Sequence, residues 1–363
     1  MKHRFNYNWK LSETKFTKDK GKVFSCFACG GGSTMGYKLA GFDVIGHNDI
    51  DKKMIEVYKA NHNPKYSFHE SITTFAKRKD LPKELYELDI LDGSPPCSSF
   101  SMAGNREKDW GKEKKFREGQ EKQVLDTLFF DFIDLSKELQ PKVVIAENVK
   151  GLLLGNAKEY VIKIYKAFDE AGYYCQHWLL DASKMGVPQR RERVFFIALR
   201  KDLAEPFMAQ KDMFTFAPDL RLEFKEAGIL FEEIEEKNGI GVRRGFDSIF
   251  KMWLNTKIGE TMIRKSGATA VSHFKINPKK VLPTIIAHTG GSGGYHYEQF
   301  RSMSKIEFLH AGSFPIDYNF LELDVQYLIG MSVPPVMTAQ IATEIYEQWL
   351  KHLVVKKSDG KKL

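Results

Sequence analysis

The chain has 363 residues, 42% of them hydrophobic, and a formal net charge of +8. That length can bury a large core in more than one lobe, and the mild positive balance suits a polyanionic partner without requiring one. No apolar run is long enough to span a bilayer, the first residues lack a signal-peptide core, and four cysteines make no disulfide framework, so a reducing, cytoplasmic setting is expected.

In chain order, Lys22 to Phe27 is a β-prone run, followed by Gly30-Gly31-Gly32 and a helix that stops near Gly41. A second strand, Asp43 to His47, leads into Asn48-Asp49-Ile50-Asp51 and a helix over Lys53 to Ala60. Ile90-Leu91 marks a third strand, before Asp92-Gly93-Ser94-Pro95-Pro96-Cys97. Val124 to Glu138 has helical spacing, Val143 to Ala146 reads as a strand buried on both faces, and Lys158 to Glu170 is a helix stopped by Gly172. Val194 to Leu199 is a further strand. Strands alternating with helices predict an α/β, doubly wound parallel sheet, with ligands beyond the carboxyl ends of its strands. From Lys201 to about Leu282 the alternation fails; a Glu-rich helix is expected over Glu232 to Lys237. Gly290 to Gly294 reads as a hinge, and Met337 to Val354 as a returning helix.

Four special turns therefore share one rim. The glycine turn after Phe27 is neither a P-loop nor a dinucleotide fingerprint, and Asp49 ends the next strand, where an acid commonly meets ribose hydroxyls. A nucleoside cofactor without a pyrophosphate fits, with S-adenosylmethionine the obvious candidate. The Cys97 turn, stiffened by two prolines, presents a nucleophile, and Glu147 follows a buried strand. Cys26 and Cys29 form a C-x-x-C pair with no second pair to complete a zinc site, so two small residues in a buried turn are expected and no metal.

Phe27 to Gly32, Pro95-Pro96-Cys97, Glu147-Asn148-Val149 and Gln189-Arg190-Arg191-Glu192-Arg193, in that order, resemble the DNA cytosine-5 methyltransferases of bacteria and phages. Arg301-Ser302-Met303-Ser304 and Gly330-Met331-Ser332-Val333 are similar to that family's last two motifs. The resemblance implies a Rossmann-like, S-adenosylmethionine-dependent catalytic domain over residues 1–201, a target-recognition domain and hinge over 202–300, and a return segment over 301–363. It implies methylation of C5 in a flipped-out cytosine of duplex DNA through a covalent bond from Cys97 to C6. Glu147 would act at N3, with Arg193 holding O2 and the nucleophile loop and Arg191 supporting the same region. Arg190 and Glu192 should face the other way, and Gln189 should make a structural contact. Phe27, Gly30, Gly31, Gly32, Asp49, Ile50, Ser71, Ile72, Pro96, Leu128, Ser332 and Val333 would bind the cofactor.

Ser98 to Gln123 matches the family's catalytic loop in position, and basic or aromatic residues such as Arg243, Arg244, Phe246, Trp253, Arg264, Lys265, His273 and Lys275 fall in its recognition region. The chain departs from the family at Ser25 and Ser71, where acids are usual, at Cys29 for Gly, at Ile50 for an aromatic, at Ser98 for Gln, and at Met331 for Asn. The Cys-Phe-Thr signature of the family's RNA-directed branch is absent. A stand-alone monomer is expected, for which a cognate restriction nuclease is not required.

Overall fold

The computed structural model describes residues 3–96, 127–154, 158–212, 215–242, 247–263, 269–287 and 293–353, and the backbone alone at 113–114 and 123–124. Its large sheet is built from β1 (Lys22–Cys26), β2 (Asp43–Asp49), β3 (Tyr66–His69), β4 (Ile90–Gly93), β7 (Val143–Val149), β8 (Tyr173–Asp181) and β9 (Glu192–Arg200), in the order β3-β2-β1-β4-β7-β9-β8. The apolar run of β7 explains why both faces are covered. Val144 and Ala146 pack into one core with Phe129, Phe132, Ile164 and Phe168 of α4 (Leu128–Leu139) and α5 (Lys158–Glu170). Val143 and Ile145 join the opposite core with Tyr37 of α1 (Gly32–Leu39) and Val336, Met337 and Ile341 of α10 (Pro335–Gln348). At Gly36 a Cβ would overlap Pro335 and Thr338, so the missing side chain is what lets α10 lie against α1. Asp51 caps α2 (Lys52–His62) and Ser71 caps α3 (Ile72–Phe75).

The sheet is not purely parallel. The link from β8 to β9 is a ten-residue turn (182–191) with one 3-10 stretch, too short for a crossover helix, so β9 pairs antiparallel with both β8 and β7. β3 and β8 went unread because they are partly exposed edge strands without a clean apolar alternation. The helical spacing over Val124 to Glu138 yields a helix only from Leu128; Gln123–Val124 forms β6, paired with β5 (Glu113–Lys114).

Beyond β9 come β10 (Met208–Gln210) and β11 (Phe216–Pro218), α6 (Phe231–Ile234), α7 (Asp247–Leu254), β12 (Thr261–Ile263), β13 (Thr269–Lys275) and β14 (Gly293–Tyr295), then α8 (Lys305–Ala311) and α9 (Val325–Met331). The Glu-rich helix is shorter than expected: after Ile234 the backbone becomes extended and Glu235 bonds His296 and Tyr297. Gly293 and Gly294 are not hinge residues but part of β14, paired with β13; the rest of that glycine run lies outside the described residues. The returning helix ends at Gln348, and Trp349, fully buried, donates to Asp219 O at 2.7 Å. A third core joins Met35, Met54 and Val57 to Phe231, Ile285, Phe308 and Ile329, fastening this smaller region to α1 and α2. Among the described residues no helix is long and apolar enough to cross a membrane.

Candidate active site

β1, β2, β4 and β7 run parallel, so the turns after them open on one rim. Cys97 lies outside the described residues, as do Ser98 to Lys112. The approach to it is described through Pro96. Asn148, 3% exposed, donates from Nδ2 to Pro95 O at 3.1 Å and so ties the proline turn to β7. One residue earlier, Glu147 is ion-paired with Arg193, Nε to Oε1 2.9 Å, and both side chains are largely covered. The antiparallel β7–β9 register brings them together, setting Val149 opposite Arg193.

The expected alternation of the arginine run holds. Arg191 and Arg193 point inward, whereas Arg190 is exposed and Glu192 pairs with Lys150. Arg191, 2% exposed, does not join the Glu147 ion pair. Its Nη1 donates to Ile285 O at 3.2 Å and its Nη2 to Gly330 O at 2.9 Å, which binds two backbone segments far apart in sequence. Gln189 does the same, donating to Ala311 O and accepting from Ile285 N.

On the cofactor side, the glycine turn is a packing device as well as an opening. A Cβ at Gly30 would meet Leu328 and Tyr318, one at Gly31 would overlap His62, and one at Gly32 would overlap Ser332 and Val333. Gly31 also has φ +86°. Ser332 and Val333 thus abut the turn. The carbonyl of Gly30 accepts from Tyr318 Oη and from His62 Nε2 at 3.3 Å. Burial holds the His62 imidazole well below its ordinary range, so this is a neutral ring with its proton on Nε2. Neither His62 nor Tyr318 belongs to a sequence motif, which is why both escaped sequence reasoning.

Asp49, 7% exposed, accepts from Cys29 N at 2.8 Å and Asp51 N at 2.9 Å. Burial pushes its carboxyl up to about 6 against those hydrogen bonds. Two backbone donors leave a carboxylate with further lone pairs, so it fits a polyhydroxylated ligand such as the ribose of S-adenosylmethionine. Phe27 is partly exposed, whereas Ile72 and Leu128 are 2% exposed and belong to the core with Phe129 and Phe132. Ile50 is partly exposed, and its carbonyl accepts from His69. Ser71 spends its hydroxyl on Thr74 N and Thr74 Oγ1.

Two departures acquire reasons. Cys29 has φ +47°, a left-handed conformation that glycine adopts without strain. Ser25 donates to Asp92 on the next strand, so a carboxylate is still present between β1 and β4. Asp92, an acid within an apolar strand, is the signal sequence reasoning passed over. Cys26 is buried, its thiol pushed well up by burial and by Asp92 and Asp49, as a structural cysteine. Among the described residues no cluster could hold a metal.

In the smaller region Trp253 belongs to a small core: it is 8% exposed, donates to His296 O at 2.8 Å, and carries Lys275 Nζ 4.1 Å above its ring. His273 stacks on Tyr295. Arg243, Arg244, Phe246, Arg264 and Lys265 lie outside the described residues. A cavity of about 720 Å³ separates β12, β13 and β14 from the β8–β9 turn, and Lys184, Arg190 and Lys280 line it. Among the described residues none of these three cations has a carboxylate partner.

Residues 21–347 match the family model described as C-5 cytosine-specific DNA methylase. The chain is 30% identical over 348 residues to the type II methyltransferase M.NgoPII of Neisseria gonorrhoeae, covering 89% of this chain and 95% of that protein. It is 38% identical over 182 residues to the type II methyltransferase M.FnuDI of Fusobacterium nucleatum, half of this chain and 48% of that protein. Spodoptera frugiperda DNMT2 shares the fold, with a TM-score of 0.60 at 19% identity over 90% of this chain and 99% of that one. A glycine turn and buried acid on one side of the rim, and a proline turn with a Glu–Arg pair on the other, are thus set in a chain matched along nearly its whole length: it belongs to the C-5 cytosine-specific DNA methylase family, as an S-adenosylmethionine-dependent DNA cytosine-5 methyltransferase.

Proposed function

We propose that the chain methylates a cytosine flipped out of a specific duplex sequence, with Cys97 as nucleophile, Glu147 acting at N3, and Arg193 holding both Glu147 and the base. The observation that carries this is the Glu147–Arg193 ion pair beside a proline turn that Asn148 holds by its carbonyl. C5 of cytosine is too weak a nucleophile to attack unaided. Addition of the Cys97 thiolate to C6, with Glu147 hydrogen-bonded or transferring a proton to N3, makes C5 an enamine carbon. S-adenosylmethionine supplies the electrophilic methyl group. Loss of the C5 proton then expels the thiolate and regenerates Cys97.

In this reading residues 1–201 carry the chemistry, residues 202–300 read the sequence, and 301–363 form the return segment, whose α10 joins the core of the large sheet. The cavity rimmed by Lys184, Arg190 and Lys280 supports the reading, because unpaired cations facing a cleft suit phosphates. Gln189, Arg190 and Arg191 all bond the 282–285 stretch, which supports anchoring of the recognition region to the rim through that stretch.

The test is methyl transfer to duplex DNA and to RNA, and covalent trapping on duplex containing 5-fluorocytosine. Wild type should label DNA alone and form a denaturation-resistant adduct, and Cys97→Ala should do neither while still binding DNA. Active enzyme without an adduct on its correct target removes Cys97 from the role.

A further inference from the structure

We propose that Asp92 is a positioning residue for methyl transfer: its carboxylate fastens the helix after the glycine turn to the strand that leads to Cys97, and so sets the two turns relative to each other. This rests on the reading of Cys97 as nucleophile.

Asp92 stands in β4, opposite Ser25 of β1, and Cys97 follows five residues later in the chain. It is 4% exposed, and three hydroxyls converge on it. Oδ2 accepts from Ser25 Oγ and Ser33 Oγ, each at 2.8 Å, and Oδ1 accepts from Tyr37 Oη at 3.0 Å. Ser33 and Tyr37 are one turn apart on α1, so one face of that helix is tied to β4 at two heights. α1 begins at Gly32, the last residue of the glycine turn. β4 itself is held on its other side, where Gly93 packs against the Phe132 ring.

Apolar residues of the same volume would pack this interstrand space without the cost of burying a carboxylate. No cation bonds Asp92 among the described residues, so ion pairing does not account for it. A carboxylate provides what apolar packing does not: directional bonds of fixed length between two elements. Methyl transfer is sensitive to such placement, since an error of about 1 Å between reacting groups costs roughly 100-fold in rate.

The experiment compares Asp92→Ala, Asp92→Asn and wild type as full-length protein. It reads single-turnover methyl transfer at saturating S-adenosylmethionine, and S-adenosylhomocysteine affinity by calorimetry. Asp92→Ala should lose about 10- to 100-fold in rate. Asp92→Asn should recover most of that, because hydroxyl partners can donate to its oxygen and accept from its amide. Affinity should change less than about threefold in both, an amount worth under 1 kcal/mol. Should Asp92→Ala fail to fold, the double variant Ser33→Ala/Tyr37→Phe removes the helix end of the clasp and should show the same split. A folded variant with a wild-type rate at saturation, or a loss that lies wholly in cofactor affinity, overturns the proposal. Cys97→Ala and 5-fluorocytosine trapping test the underlying reading separately: failure there leaves the Asp92 rate effect to be read on its own.

Discussion

Arg191 and Arg193 sit two residues apart and face the same way, yet their contacts predict different losses. Replacing Arg191 by Met keeps the bulk and removes donors to Ile285 O and Gly330 O. Hydrogen bonds from a charged donor are worth about 1.5–3 kcal/mol each. Against that loss, the variant no longer buries a guanidinium whose Nε has no partner among the described residues, a relief of about 1–3 kcal/mol. At the midpoints of those ranges the balance is a destabilisation of about 2–3 kcal/mol. For a 363-residue chain unfolding as one unit this lowers Tm by about 3–4 °C. Arg193→Met should add a loss of rate. Its pair with Glu147 is largely covered, so removing the guanidinium also costs about 1–3 kcal/mol of stability, while the single-turnover rate falls by about 100-fold or more. Differential scanning fluorimetry and rapid-quench methyl transfer measure both quantities on the same samples. If Arg191→Met kept its Tm and lost rate as Arg193→Met does, the assignment of Arg191 to the scaffold would be wrong.

Glu147→Gln should lower the single-turnover rate by about two to four orders of magnitude and leave cofactor affinity nearly unchanged; a mutant within a few fold of wild type would remove Glu147 from proton transfer at N3. Neutralising Lys184, Arg190 or Lys280 should each reduce the slope of log affinity against log salt by about 0.9, and slopes equal to wild type would place the DNA elsewhere. Asp49 has its carboxyl raised from 3.8 to about 6 in the fold, so the unfolded chain releases this proton first as pH rises. Stability should therefore fall by up to about 3 kcal/mol between about pH 4 and 6 on account of this group, and stay level above that. Asp49→Asn should lose that part of the pH dependence in urea titrations, and an unchanged profile would show the carboxyl is not raised.

Several parts of the fold were legible because one residue pattern had one physical outcome. Val143 to Ala146 could only be a strand covered on both faces, and Gly41 and Gly172, at φ +95° and +92°, end helices where a left-handed residue is needed. The placing of the Glu147–Arg193 pair beside the proline turn was legible for a similar reason: a carboxylate and a guanidinium at strand ends have few partners but each other. What could not be read depends on partners far away in the chain. Gln123–Val124 continues a helical spacing, but its backbone pairs with Glu113–Lys114. Trp253 has the composition of a nucleic-acid surface and instead sits in a small core with Met262 and Tyr295, with the part-exposed Lys275 over its ring. The glycines of the cofactor turn invited a ligand reading, while their closest neighbours are His62, Tyr318, Leu328 and Ser332, up to about 300 positions away.

That last point bears on how the rim is assembled. β1 lies between β2 and β4, so the strand before the glycine turn is a hydrogen-bonded neighbour of the strand before the proline turn although some 65 residues separate them. β4 in turn pairs with β7, and β7 with β9, which delivers Glu147 and Arg193 next along the rim. Three adjacent pairs of strands are cross-linked by a polar side chain close to the rim: Asp92 between β1 and β4, Asn148 from β7 to the turn after β4, and Arg193 between β9 and β7. Main-chain ladders fix strand spacing but leave the turns beyond their ends free to shift. Side chains that bridge neighbouring strands at that level remove the freedom where reacting groups must meet, which is why the buried polar residues of this sheet gather at its carboxyl ends and its middle is left to Val, Ile, Leu and Phe.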